Sequence, residues 1–393
     1  MFELVKFELY KIVSRKFNIL ALSVFILLYF LSTSQLNLGD IQHIRNMYSE
    51  WNGPLTEERA AIARQELREL EAQQEEDLEK YIADHQNQNV VIFEWDKTLG
   101  SKLGVRFDLV NRWERFQNRN ALTADLWEEI RTAEAADKKD FNYLKNLMHY
   151  NMLSDLTPPL GDYFRGWRDL IDFANTFGFV FLGALILLTL VPVFAEEYTV
   201  KMDSFILSSR HGRKKIVTAK IAASLLVVFS YAVIFLIMNV TVNSMLFSLD
   251  GSRVALQELF KYRLSPFNLN VSQYFFIQQA THIFGAFAFS FLVLLLSVFS
   301  RSSLISFFTG GAIYGAPFFL TSILNIEHEL IQRIRDFSYG QLIMVEELFS
   351  NFHVINVFGT PILYMYVMYF IFLVLSSVTI FLIYSSFAKR QVM

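Results

Sequence analysis

Apolar positions along this chain gather into six long stretches free of Asp, Glu, Lys and Arg: Phe17 to Leu36, Ala174 to Ala195, Ile221 to Phe247, Tyr274 to Phe299, Leu304 to Leu324 and Ile362 to Tyr384. Each is long enough to cross a hydrocarbon core, which takes about 20 residues at roughly 1.5 Å of helical rise apiece. The pattern predicts six transmembrane helices. The first stretch exceeds the apolar part of a signal peptide and no small-residue cleavage site follows it, so it is expected to persist as a span. Ahead of it, residues 1–16 place Phe2, Val5, Leu9, Ile12 and Val13 on one helical face, with Lys6, Lys11 and Arg15 elsewhere. That is the pattern of an amphipathic helix lying along an interface.

The segment between the first two spans, residues 37–173, is of another kind, rich in Glu, Gln, Arg and Asn. It predicts a separate, water-exposed, mainly helical domain. Leu55 to His85 reads as one long helix, capped by Thr56 and with Leu67, Leu70, Leu78, Tyr81 and Ile82 as its seam. Thr123 to Met152 reads as a second, with Leu126, Ile130, Phe141, Leu144, Leu147 and Met148 on its inner side. The acidic run Glu75, Glu76, Asp77 and Glu79 is expected to be a solvated face. Residues 248–273 form a short loop, and residues 325–361 a longer one in which Ile326, Leu330, Ile331, Ile334 and Phe337 predict a helix resting on the membrane surface. Gly311 and Gly315 form a GxxxG pattern that allows close helix packing.

Composition supports a membrane protein: 53% of the 393 residues are hydrophobic, 40 are Phe and only 19% are charged. A net charge of −3 gives no basic excess for a nucleic-acid partner, and the absence of cysteine excludes disulfides, thiolate metal sites and cysteine nucleophiles. No metal ligand set and no catalytic residue is assigned. Lys and Arg near span ends are retained in the cytoplasm. Lys6, Lys11, Arg15 and Lys16, the cluster from Lys201 to Lys220, Arg301, and Lys389 with Arg390 therefore place both termini inside, with residues 37–173 outside and 385–393 as a cytoplasmic tail.

The most informative stretch is the inside loop 196–220, EEYTVKMDSFILSSRHGRKKIVTAK. It begins as a helix with Met202, Phe205 and Ile206 as apolar knobs, and a short helix with exposed knobs needs a partner groove. The loop resembles that of the permease subunits of type-2 ABC exporters, a bacterial transporter family whose first cytoplasmic loop runs from a Glu through an apolar run to Ser, Arg and Lys. Glu197, Leu207, Ser208, Arg213 and Lys220 fall on that pattern in order, and Glu8 with Lys11 matches the Glu-x-x-Lys of the family's N-terminal surface helix. Lys201 and Met202 stand where the family has Gly-Thr, and Arg210 where Pro is usual. The resemblance implies an all-α polytopic protein of the bacterial cell membrane that exports a substrate, amphipathic or antimicrobial, by alternating access. It implies a cytoplasmic ATPase subunit carrying ATP and Mg, a second permease subunit, and coupling through Glu197, Met202, Phe205, Ile206, Leu207 and Arg213. The chain has no Gly-x4-Gly-Lys-Ser/Thr phosphate loop: Gly161 to Gly166 is followed by Trp167, and Gly310 to Gly315 by Ala316. ATP chemistry is thus expected from the partner.

Polar residues inside spans are candidates for a translocation path: Asn239, Asn243, Gln278, Gln279 and His282. An interhelical hydrogen bond, worth about 1 kcal/mol, is the plainer role for each. Two other functions fit parts of the sequence. A non-transporting sensor or immunity protein would use the large outer domain to capture a ligand. An intramembrane protease would use Glu196, Glu197 and His353, which imitate prenyl-endopeptidase motifs, but the topology sets these on opposite sides of the membrane.

Overall fold

The computed structural model describes residues 1–33, 38–84, 97–199, 214–300 and 302–388. Among these, five helices are long and apolar enough to cross a membrane: Arg165–Glu197, Lys215–Phe247, Val271–Phe299, Ser303–Ile323 and Tyr364–Phe387. Helices α1 (Phe2–Val13) and α2 (Lys16–Thr33), bent by 63° against each other, supply a sixth crossing if the pair is counted as one. The chain is a multi-pass helical membrane protein. Its helices run past the uncharged stretches, beginning at Arg165 and Lys215, because a helical backbone continues into the polar flank, where Arg165 pairs with Asp169.

The bend after α1 is held by Asn18, whose amide donates to the Ile12 carbonyl at 2.9 Å. Helix α1 turns Glu8 and Ile12 into the protein, with Val5 and Leu9 against the same core. Phe2 and Val13, read as part of that face, are instead exposed, along with Phe7 and Tyr10. The apolar surface of α1 is thus divided between the protein and its surroundings.

The second crossing is built from pieces: α7 (Arg165–Phe173), a π turn (Ala174–Gly178), α8 (Phe179–Leu190) and α9 (Pro192–Thr199). Helix α8 is apolar all round and is buried on nearly every side, the expected place for such a helix. It packs between α10 (Lys215–Phe247) and α11 (Val271–Phe299), where Leu182, Leu185, Ile186 and Leu190 meet Val227, Val228, Phe289 and Val293. Proline interrupts the helical ladder at 192, and Ser297 of α11 repairs it. The Ser297 hydroxyl donates to Val191 O at 2.6 Å and accepts from the Phe194 and Ala195 amides at 3.0 Å each.

Helices α12 (Ser303–Phe318) and α16 (Tyr364–Ala388) lie at the periphery and keep Leu304, Ile305, Phe308, Phe370 and Phe381 exposed. The close approach on α12 falls one residue before the GxxxG pair. A Cβ at Gly310 would meet Leu187 at 2.7 Å, one at Gly311 would be in ordinary contact with Leu187, and one at Gly315 would meet nothing within 4 Å among the described residues. Between them lie α13 (Glu329–Asp336), on the segment predicted to carry a surface helix, then α14 (Tyr339–Met344), α15 (Glu346–Ser350) and a hairpin of β1 (Val354–Val357) and β2 (Thr360–Leu363). The hairpin is absent from the sequence reading. Phe358 and Gly359 both adopt positive φ at its turn, the backbone that a two-residue loop demands.

The polar segment folds as α3 (Leu38–Ser49), α4 (Glu57–Asp84), α5 (Lys97–Ala135) and α6 (Phe141–Ser154). Thr56 caps α4 as expected, accepting from the Arg59 amide at 3.3 Å. The helix predicted from Thr123 to Met152 is two helices. Asp137 adopts positive φ, and Asp140 starts α6 by accepting from the Asn142 and Tyr143 amides. Ala60, Ala63 and Leu67 of α4 pack on Val105, Leu109 and Val110 of α5, with Trp51 and Leu55 at the base. Of the other seam residues, Ile82 is exposed, whereas Leu126 and Ile130 are buried as expected. The chain enters and leaves this unit side by side: Leu55 N donates to Pro159 O and Gly161 N to Gly53 O, both at 2.9 Å.

Candidate functional site

Four charged residues from three helices meet at one end of the bundle. Glu8 and Lys11 lie on α1, Glu197 near the end of α9, and Lys220 in the second turn of α10. Lys220 is fully buried and spends its three donors on Glu197 at 2.7 Å, Val193 O at 2.9 Å and Glu8 at 3.1 Å. Lys11 reaches Glu197 at 3.0 Å and Glu8 at 3.5 Å, and Arg15 pairs with Glu196 at the rim. The Lys220 ammonium also sits 5.2 Å from the Phe194 ring centroid. Two lysines balance two carboxylates, which is what permits ions at this depth. Burial works against the Lys11 ammonium, but attraction to Glu197 and Glu8 outweighs it and the Lys11 pKa is raised.

The position of α9 makes this geometry. Pro192 sits at its first position, where a missing N–H costs least, and Ser297 fixes the preceding turn, so Val193 O and Glu197 both face Lys220. Glu197 and Lys220 bracket the loop whose knobs drew attention in the sequence. The ion pair ties the loop's two ends together, and Glu8 ties both to α1. Met202, Phe205, Ile206, Leu207 and Arg213 lie outside the described residues.

The polar residues of the spans hold helices together. Asn239 donates to Leu170 O at 3.0 Å, and Asn243 to Asn239 Oδ1 at 2.7 Å and the Tyr29 hydroxyl at 3.4 Å. Gln278 donates to Asn175 Oδ1 at 2.7 Å and Ile171 O at 3.1 Å, and His282 Nδ1 is 2.8 Å from Ile343 O. Gln279 is half-buried. Asn243 and Tyr29 also edge a cleft of about 210 Å³ walled by Phe173, Phe177 and Phe247. Sequence reasoning missed Asn175 and Ser297. Both are small polar residues in apolar runs, and they serve the π turn and the proline break. His353 stacks on Tyr364 at 4.6 Å, and its neighbour Phe352 stacks on His149 of the polar domain, so it does not converge with Glu196 and Glu197.

A membrane frame of broken and unbroken helices, with a charge cluster pinning an N-terminal helix to both ends of a loop, defines a polytopic membrane protein. A family model described as an ABC-2 family transporter protein matches residues 3–392. The chain therefore belongs to the ABC-2 transporter family, whose members are membrane permease components that work with ABC ATPase subunits. No curated protein and no solved structure matches the chain.

Proposed function

We propose that this protein is the membrane-spanning subunit of an ATP-driven exporter, and that Glu8, Lys11, Glu197 and Lys220 transmit motion between a cytoplasmic ATPase and the spans. The buried Lys220 between Glu197 and Glu8 is the observation that carries this reading. A force on the loop reaches α9, α10 and α1 together, because moving any one of them alone would strand a buried charge. The proposal places both termini and this cluster in the cytoplasm, with the polar domain outside. A second permease subunit, a copy or a relative, would complete the path, and residues 200–213 would seat on the ATPase through Met202, Phe205, Ile206, Leu207 and Arg213.

The test is affinity purification of the tagged protein in mild detergent, with an ATP-hydrolysis assay. A stoichiometric phosphate-loop ATPase in the eluate is expected, together with its loss in a Phe205→Asp/Leu207→Asp variant that still inserts. Reproducible absence of an ATPase would favour an autonomous sensor that uses the polar domain to capture a ligand. Because the native chain has no cysteine, single introduced cysteines at positions 138 and 388 report sidedness directly. Labelling of position 138 from outside and protection of position 388 are expected.

A further inference from the structure

At the other end of the Arg165–Glu197 helix, where the polar domain meets the spans, lies a cavity of about 420 Å³. Four arginines line it, Arg112 and Arg115 from α5 and Arg165 and Arg168 from α7, against two carboxylates, Asp108 and Glu258. Arg112 is largely engaged: its two terminal nitrogens pair with Asp108 at 2.5 Å and donate to Leu160 O and Asp162 O. Arg115 reaches Glu258 at 3.0 Å, while Arg165 and Arg168 share a single further carboxylate, Asp169, at 3.5 and 3.2 Å. One turn beyond Arg115 on the same face of α5, Arg119 is 7% exposed, and none of its three guanidinium nitrogens has a hydrogen-bond partner among the described residues. The four lining arginines thus face the two lining carboxylates, with Arg119 behind them and Asp169 beyond the lining, a cationic excess in a partly desolvated place.

An uncompensated buried guanidinium is costly, and that cost is relieved by an anion that accepts several N–H bonds at once. Burial pushes the Glu258 carboxyl above its ordinary range against the pull of Arg115, Arg112 and Arg119. Any protonation of Glu258 leaves the cationic excess larger. The rim is apolar: Phe107 and Phe260 stand 59% and 73% exposed at the cavity mouth. A head that is anionic and a body that is not would both be accommodated.

We propose that this cavity binds a phosphate group, carried by an amphiphile or free in solution. Arg165 and Arg168 supply the accessible donors, Arg115 and Arg119 the buried positive field, and Phe107 and Phe260 the seat for an apolar tail. The site stands apart from the ATPase-coupling reading, since it uses none of the same residues.

The experiment is isothermal titration of the full-length protein, purified in an uncharged detergent, with two probes: inorganic phosphate and dihexanoyl-phosphatidylglycerol. Saturable binding of at least one is expected, weakened by about tenfold or more in the Arg165→Gln/Arg168→Gln double variant, the scale of one or two lost charge-assisted hydrogen bonds. Both side chains are partly exposed, so this variant is expected to fold. Arg115→Gln combined with Glu258→Gln removes a buried pair together and should weaken the same probe. Tighter binding of the lipid, reduced by Phe260→Ala while phosphate binding is not, identifies an amphiphile as the carrier. Equal binding of both probes, indifferent to Phe260→Ala, identifies the free anion. Binding of neither at millimolar concentration, or affinities unchanged in both arginine variants, overturns the proposal.

Discussion

At the Glu197 end of the second crossing, two lysines meet two carboxylates and every charge has a partner within 3.5 Å. At the Arg165 end, five arginines surround three carboxylates, and Arg119 makes no guanidinium hydrogen bond among the described residues. The two clusters use the same chemistry to opposite ends. A balanced, saturated cluster locks its helices in register, because no member can leave without stranding another. An unbalanced one stores unmet bonding capacity, and its arrangement becomes complete only when something else arrives. The lock and the unsatisfied site thus sit at opposite ends of the same broken crossing.

The sharpest way to break the contrast is Lys220→Met, which leaves Glu8 and Glu197 buried with only Lys11 to answer them. We expect a loss of about 3–5 kcal/mol, read as a lowered unfolding temperature in detergent. Adding Glu197→Gln and Glu8→Gln should recover most of it; no recovery would mean that Lys220 acts through packing alone. Next in size, Arg112→Met should cost about 3 kcal/mol, because Asp108 and two backbone carbonyls lose a shared partner. The damage should be confined to the polar domain, visible as protease cleavage between residues 38 and 160 with the spans intact. Arg119→Met, only two turns away, should behave oppositely and be neutral or stabilising by up to about 1 kcal/mol, since it removes a buried cation held among the described residues by the Phe116 ring and no hydrogen bond. Equal losses at Arg112 and Arg119 would abolish the distinction between an arginine held by a carboxylate and one that is not.

The smallest effect concerns a titratable group outside both clusters. Burial, aided by Lys145, lowers the His149 pKa to about 4, and its ring stacks on Phe352 at 4.0 Å. A base with a depressed folded pKa is protonated more readily when unfolded, so stability falls as pH drops from about 6.5 toward about 4. Docking of α6 on the hairpin segment should loosen over that window, measurable as faster amide exchange there. His149→Phe should remove the slope.

Much of the membrane frame was legible because apolar runs in lipid admit few alternatives. The polar domain was read less well. The first two thirds of α5, from Lys97 to Leu122, hide their buried face among charges, and two of the buried positions are Arg112 and Arg119. No hydropathy pattern marks an arginine as core when its partners are a carboxylate four residues away and carbonyls some fifty residues on. Glu8, Glu197 and Lys220 were legible only through a family pattern, since 186 or more residues separate α1 from its partners. The hairpin at 354–363 was obscured by Pro361, which sits in β2 and reads as a span boundary.

The paired backbone at Gly53–Leu55 and Pro159–Gly161 has a further consequence. A unit whose entry and exit are hydrogen-bonded neighbours is a cassette in the geometric sense: the spacing of the chain on either side is set at residues 54 and 160, whatever length lies between. Replacing that interval by a short turn should leave spans that still insert once Glu258, which loses Arg115, is changed to Gln.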